Sequence, residues 1–192
     1  MRKAIGAPTR RGFLKGAVAL AVLPRNVIGG PGQAPPSETF ACGLVGCGGR
    51  GTWLAALFEQ NSATRVVAVA DYFPDRAERA GTRFKVPADR HFSTLSGYKR
   101  LLECKLDAVA IESPPYFHPE QAAAAVEAGK HVYVAKPIAV DVPGCLTVAQ
   151  AGKRATEKKL CFLVDFQTRA NPFYQETVKR VQAGDIGTIA LV

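Results

Sequence analysis

Residues 40–51 read FACGLVGCGGRG. An apolar run (Phe40, Ala41, Cys42, Leu44, Val45) gives way abruptly to glycines at Gly46, Gly48, Gly49 and Gly51, and residues 52–58, TWLAALF, then have helical character. The order is strand, tight turn, helix, with G-x-G-x-x-G at Gly46, Gly48 and Gly51. Each glycine has a physical task in a dinucleotide site: Gly46 permits the turn out of the strand, Gly48 lets backbone approach a pyrophosphate, and Gly51 lets the helix pack close to the strand. The start of the helix offers free N–H groups and the positive end of its dipole to phosphate. Glycine-rich turns are common, so the reading depends on what surrounds this one.

Downstream, residues 65–71 (RVVAVAD) form a β-rich run that ends in an acid twenty residues past Gly51. A carboxylate there is placed to accept hydrogen bonds from an adenosine ribose and to repel a 2′-phosphate, so Asp71 favours NAD. The other role open to Asp71 is to cap the next helix. Arg76 lies close enough to serve a 2′-phosphate, which keeps NADP open. Pro74 opens a helix to Phe84; His91-Phe92 is a short strand and residues 95–103 a short helix. The run 107–112 (DAVAIE) is a buried strand whose continuous apolar character suits a parallel sheet covered on both faces. It ends in Ser113-Pro114-Pro115-Tyr116-Phe117-His118, a rigid turn at the carboxyl edge, where ligands bind in open α/β sheets. A helix over 120–128 stops at Gly129. His131-Val132-Tyr133-Val134 runs into Ala135-Lys136-Pro137, a helix spans 142–159, and residues 160–164 (LCFLV) form a sixth strand ahead of Asp165, Phe166, Gln167 and Arg169. A last helix covers 171–183. This alternation predicts a doubly wound parallel α/β sheet over residues 38–165.

Composition is that of an ordinary globular chain, 47% apolar and 21% charged over 192 residues. The net charge of +9 is localised: Arg2, Lys3, Arg10, Arg11, Lys15 and Arg25 lie before residue 35, where there is no acid, and the rest carries +3. With no basic stripe interleaved with aromatics beyond residue 35, nucleic-acid binding is not expected. The five cysteines include no C-x-x-C pair, and the three histidines lack HExxH spacing, so neither a disulfide framework nor a metal site is expected. Cys42 and Cys161, in apolar runs, read as core residues, and His91 and His131 as structural.

Residues 9–15, TRRGFLK, precede the short apolar stretch 17–23. Paired arginines followed by Phe-Leu-Lys resemble a twin-arginine export signal over residues 1–34, which implies the twin-arginine machinery as a partner and a periplasmic or exported location. The stretch is too short for a permanent membrane span. An amphipathic arm is the alternative. The twin-arginine route carries folded proteins, which suits a chain that must acquire its cofactor in the cytoplasm.

Five blocks together resemble the Gfo/Idh/MocA oxidoreductase family: Val45-Gly46-Cys47-Gly48-Gly49-Arg50-Gly51, Asp71, Ser113-Pro114-Pro115 with His118, Ala135-Lys136-Pro137, and Gln167-x-Arg169 before Pro172 and Tyr174. The resemblance covers about residues 40–192. It implies an NAD(P)-binding domain followed by an α/β domain that holds substrate against the nicotinamide, hydride transfer with sugars, inositols or related polyols, and a homo-oligomer as one arrangement of the whole protein. It implies cofactor contacts at Gly46, Gly48, Gly49, Arg50, Gly51, Asp71, Ser113, Pro114, His118, Ala135, Lys136 and Gln167. Lys136 is implied as the catalytic lysine, taking the O–H proton of a carbinol as hydride leaves carbon; partial desolvation beside a positive nicotinamide would suit it to that work. Gln167 and Arg169 would reach the same crevice. Two departures stand out. The usual glutamate of the Glu-Lys-Pro block is Ala135, and residues 166–192 read as a crossover helix and only the first strand, Ile189-Ala190-Leu191-Val192, of a second domain. An NAD-dependent glycoside hydrolase of the same superfamily and a non-catalytic nucleotide-binding fragment are the alternatives.

Overall fold

In the computed structural model, which describes residues 38–190, the run from Phe40 is β1 (Phe40–Val45) and the glycine turn leads into α1 (Gly49–Asn61). There follow β2 (Thr64–Asp71), α2 (Pro74–Phe84), β3 (His91–Ser93), α3 (Gly97–Glu103), β4 (Ala108–Ile111), α4 (His118–Glu127), β5 (His131–Ala135), α5 (Val142–Glu157), β6 (Phe162–Asp165), a single turn α6 (Gln167–Ala170) and α7 (Pro172–Gln182). The sheet has six strands in the order β3-β2-β1-β4-β5-β6, and every neighbouring pair is parallel. Strand order reverses between β1 and β4, so a crevice opens above their carboxyl ends.

Alternation along the strands divides the core between two faces. Leu44, Val66, Val69 and Ala110 pack with Ala55 of α1 and with Ala80 and Phe84 of α2. Val45, Val109, Ile111, Val132 and Val134 pack with Leu101 and Leu102 of α3, Ala122 and Val126 of α4, and Ala151 and Ala155 of α5. The strands read as apolar runs because both faces are covered. Helix ends follow local chemistry. Asp141 Oδ1 accepts from the Gly144 N–H at 2.7 Å at the start of α5, and Asn171 Oδ1 accepts from the Phe173 N–H at 2.9 Å at the start of α7. Gly129, with φ of +71°, turns the chain after α4.

Three expectations change. Cys161 is exposed, unlike buried Cys42, because it precedes the edge strand β6; its N–H donates to His131 Nδ1 at 2.8 Å. The helix expected from residue 95 begins at Gly97, since residues 94–96 make a turn with Thr94 at φ +84°. Residues 187–190 form no strand, and residues 191 and 192 lie outside the described region, as do the twin-arginine segment and linker of residues 1–34. No helix among the described residues is long and apolar enough to cross a membrane.

Candidate functional site

The turn between β1 and α1 shows why only glycine serves at two of its positions. Gly46 has φ of +92°, and a Cβ there would lie 2.5 Å from the Glu112 carbonyl carbon; a Cβ on Gly51 would lie 2.0 Å from the Gly46 oxygen. Gly48 and Gly49 differ: a Cβ on either meets nothing within 4 Å. Gly48 is the N-cap of α1 in an extended conformation open to any residue, and no side chain caps the helix. The first pair of glycines thus closes the turn against β4, and the second leaves open space over bare backbone at a helix N-terminus. That combination fits the pyrophosphate of a dinucleotide. Gly48→Ala is therefore expected to leave the melting temperature within about a degree of the parent while weakening NAD binding by about tenfold or more, as calorimetric titration would show. A matched fall in stability would mean that the space over Gly48 is not a ligand's.

A cleft of about 640 Å³ runs along the carboxyl edge from Asp71, Tyr72, Phe73 and Arg76 past Gly46 and Gly48 to Glu112, Ser113, Pro114 and Gln121. Its size is that of a small-molecule site. Asp71 holds two backbone donors: its Oδ2 accepts from the Cys47 N–H at 2.7 Å and its Oδ1 from the Phe73 N–H at 2.9 Å. The carboxylate thus pins the glycine turn to the end of β2 and keeps one lone pair on each oxygen for ribose hydroxyls. It does not cap α2, whose N-cap is Phe73 with no side-chain cap bond. Arg76 stacks over Phe73 at 4.8 Å. A smaller groove of about 370 Å³ beside Gly48 and Gly49 is lined by Arg76, Arg79 and Arg83. Cys47, inside the turn, is no nucleophile: burial, reinforced by the charge of Asp71, pushes its thiol up to about 12.

Ser113 donates its hydroxyl to Gln121 Oε1 at 2.6 Å, which fixes the turn after β4. His118 is 1% exposed and faces two carbonyls, Nε2 to Ser113 at 2.7 Å and Nδ1 to Pro137 at 2.9 Å. Burial lowers its pKa against the pull of those carbonyls. The side chain is absent from the cleft wall; it clamps the turn carrying Ser113 and Pro114 to the turn carrying Lys136. Lys136 itself is exposed at the end of β5 and forms no ion pair among the described residues.

A nicotinamide would be received over β4, β5 and β6, opposite the acid of β2. Here the structure assembles a group that the sequence reading did not. Arg50, in the first turn of α1, reaches across the sheet edge to Glu112 (Nε to Oε2, 3.3 Å) and to Asp165, to which it is hydrogen-bonded. The Glu112 side chain is 1% exposed and that of Asp165 7%. Burial together with the nearby Asp165 carboxylate raises the pKa of the Tyr133 phenol. With its amide oriented to satisfy both groups, Gln167 accepts from both terminal nitrogens of Arg50 at 3.0 Å. Asp165 is the register partner of Ala135. The sheet edge thus carries a carboxylate on β6 beside the position where the Glu-Lys-Pro block lacks one. The only signals in the sequence were acids one residue past or at the end of apolar runs, Glu112 and Asp165, and nothing local pairs them with Arg50.

The model of the Gfo/Idh/MocA oxidoreductase family, with its NAD-binding Rossmann fold, matches residues 40–166. Glycosyl hydrolase family 109 protein 4 of Phocaeicola vulgatus is 31% identical over 162 residues, 81% of this chain and 30% of the relative. Inositol 2-dehydrogenase 2 of Saccharopolyspora erythraea is 33% identical over 150 residues, 78% of this chain and 42% of the relative. The crystal structure of a 3-ketoreductase from Actinomadura kijaniata in complex with NADP superposes with a TM-score of 0.63 at 30% identity, covering 79% of this chain and 46% of that one. The chain spans less than half the length of these relatives.

Proposed function

The chain belongs to the Gfo/Idh/MocA oxidoreductase family, with residues 40–166 as its NAD(P)-binding domain, and from that premise we propose that the whole protein transfers hydride between nicotinamide and a carbon of a sugar or polyol. The observation that carries the reading is the glycine turn: closed against β4 at Gly46 and Gly51, open over Gly48 and Gly49, and facing a cleft with Asp71 on its wall. When bound, the nicotinamide supplies the hydride acceptor or donor. The protein's part is to hold and orient. Backbone N–H groups of the turn and α1 receive the pyrophosphate, Asp71 accepts from ribose hydroxyls, and Ser113 and Pro114 wall the cleft. Lys136, at the carboxyl end of β5, takes the carbinol O–H proton in oxidation and returns it in reduction. Asp71→Ala is expected to reduce the preference for NAD over NADP by about tenfold, read from the two dissociation constants, because the charge facing a 2′-phosphate is gone. An unchanged ratio would refute the ribose assignment.

A second reading has a specific observation behind it: the family 109 glycosyl hydrolase among the relatives. Lys136 favours the dehydrogenase. Incubation of the whole protein with NAD and a panel of sugars and inositols, and separately with aryl glycosides, distinguishes the two. NADH formation with a polyol supports the dehydrogenase; glycoside cleavage without net NADH overturns it. The paired arginines Arg10 and Arg11 ahead of a short apolar stretch support export of the folded, cofactor-loaded protein to the periplasm.

A further inference from the structure

Glu112 has no role in the reading above. It sits directly behind the glycine turn, where a Cβ on Gly51 would lie 3.2 Å from its own Cβ, and it lines the cleft with Gly46 and Gly48. Its Oε2 meets Arg50, while Oε1 is buried with no hydrogen-bond partner. A buried carboxylate oxygen without a donor costs free energy, whereas a carboxylic acid would carry a donor of its own there.

The surroundings press the same way. From α1 comes one cation, Arg50, its side chain 40% exposed and shared with Asp165. From β6 comes the like charge of Asp165, and from β5 Tyr133, whose phenol feels that carboxylate. Asp71 on β2 is turned to the Cys47 and Phe73 N–H groups, and His118 on α4 is bonded to the neighbouring Ser113 carbonyl. Burial, countered by Arg50 and reinforced by Asp165, pushes the Glu112 carboxyl up to about 7. A dinucleotide brings two phosphate charges to the turn in front of this group and expels water from the cleft, and both favour the neutral form.

Resting on the cleft as a dinucleotide site, we propose that Glu112 is a positioning residue behind the glycine turn that works as a carboxylic acid, taking one proton from solvent as the dinucleotide enters and, in its neutral form, holding the turn. Carboxylate plus proton gives carboxylic acid; no other bond is made or broken. Arg50 then answers to Asp165 and Gln167 alone.

Titration calorimetry of NAD into the chain, in buffers of different ionisation enthalpy, counts the protons. About half a proton or more should be taken up per NAD at pH 7, rising towards one at pH 8 and vanishing near pH 5.5, where the free protein already holds it; affinity should fall by up to tenfold per pH unit above 7. Glu112→Gln, which keeps the shape and supplies an amide donor, should bind without proton uptake and with affinity flat in pH. Asp165→Asn removes the like charge and should move the onset of uptake to lower pH. NAD binding by the parent with no proton exchanged between pH 6 and 8, or uptake that persists in Glu112→Gln, overturns the proposal while leaving the cofactor reading intact. Failure of the folded parent chain to bind NAD or NADP at all overturns both.

Discussion

Arg50→Ala is expected to destabilise the chain by about 2–3 kcal/mol at pH 8 and by far less at pH 5. Arg50 is the cation that Glu112 and Asp165 share, and their side chains are 1% and 7% exposed. Removing one partner of a buried ion pair costs ~3–5 kcal/mol, because a charge stays behind without compensation. The guanidinium is 40% exposed, so solvent already screens part of its work and the lower figure applies. The sign with pH follows from Glu112, whose carboxyl in the folded chain is raised from 4.5 to about 7. Below the unfolded value it is protonated in both states and contributes no penalty; between about 4.5 and 7 the unfolded chain ionises while the folded Glu112 still holds its proton, so stability is lost across that window and the full cost is present above it. Without Arg50 the folded carboxyl rises further, so the loss begins at the same pH and continues to a higher one. Urea unfolding of the parent and Arg50→Ala at pH 5 and pH 8 reads the difference directly. Equal destabilisation at both values would mean that Arg50 acts through packing and that the two acids do not need it.

In the whole protein, Lys136→Ala is expected to lower kcat by about 10²–10³-fold while NAD affinity changes less than about threefold. Proton transfer by a positioned side chain contributes in that range. Lys136 is separated by the width of two strands, β4 and β5, from the glycine turn after β1 that we propose receives the phosphates, so its loss should leave cofactor binding in place. Steady-state kinetics with a responsive polyol, beside direct NAD titration, separates the two effects, and added ethylamine should restore part of kcat. A loss confined to cofactor affinity would reassign Lys136 to binding.

The glycine turn was legible because its cause is local. An apolar run, a residue forced to positive φ at Gly46 and a helix start follow one another within twelve residues. The β-α alternation was legible for the same reason, and so was the acid ending β2. Element ends were less so: Thr94 in the left-handed region delays α3 to Gly97, and the exposed end of β6 leaves Cys161 in solvent. The family resemblance implied His118 as a cofactor contact. The structure places it between two carbonyls, one of them Pro137 on a different turn.

By itself, then, the sequence determined the fold class, the glycine turn and the placement of Asp71 and Lys136 at strand ends, since each depends on spacing along one strand-turn-helix unit. What only the tertiary structure decided is the charged cluster over β4 to β6. Arg50 and Asp165 are 115 residues apart, and whether they meet depends on strand order, on register and on a flexible side chain crossing the sheet edge. The register that sets Asp165 beside Ala135 brings a carboxylate to an edge where the local motif lacks one. The packing of Gly51 against Glu112 is what buries an acid behind the glycine turn. Those contacts are non-local, and no window of sequence contains them.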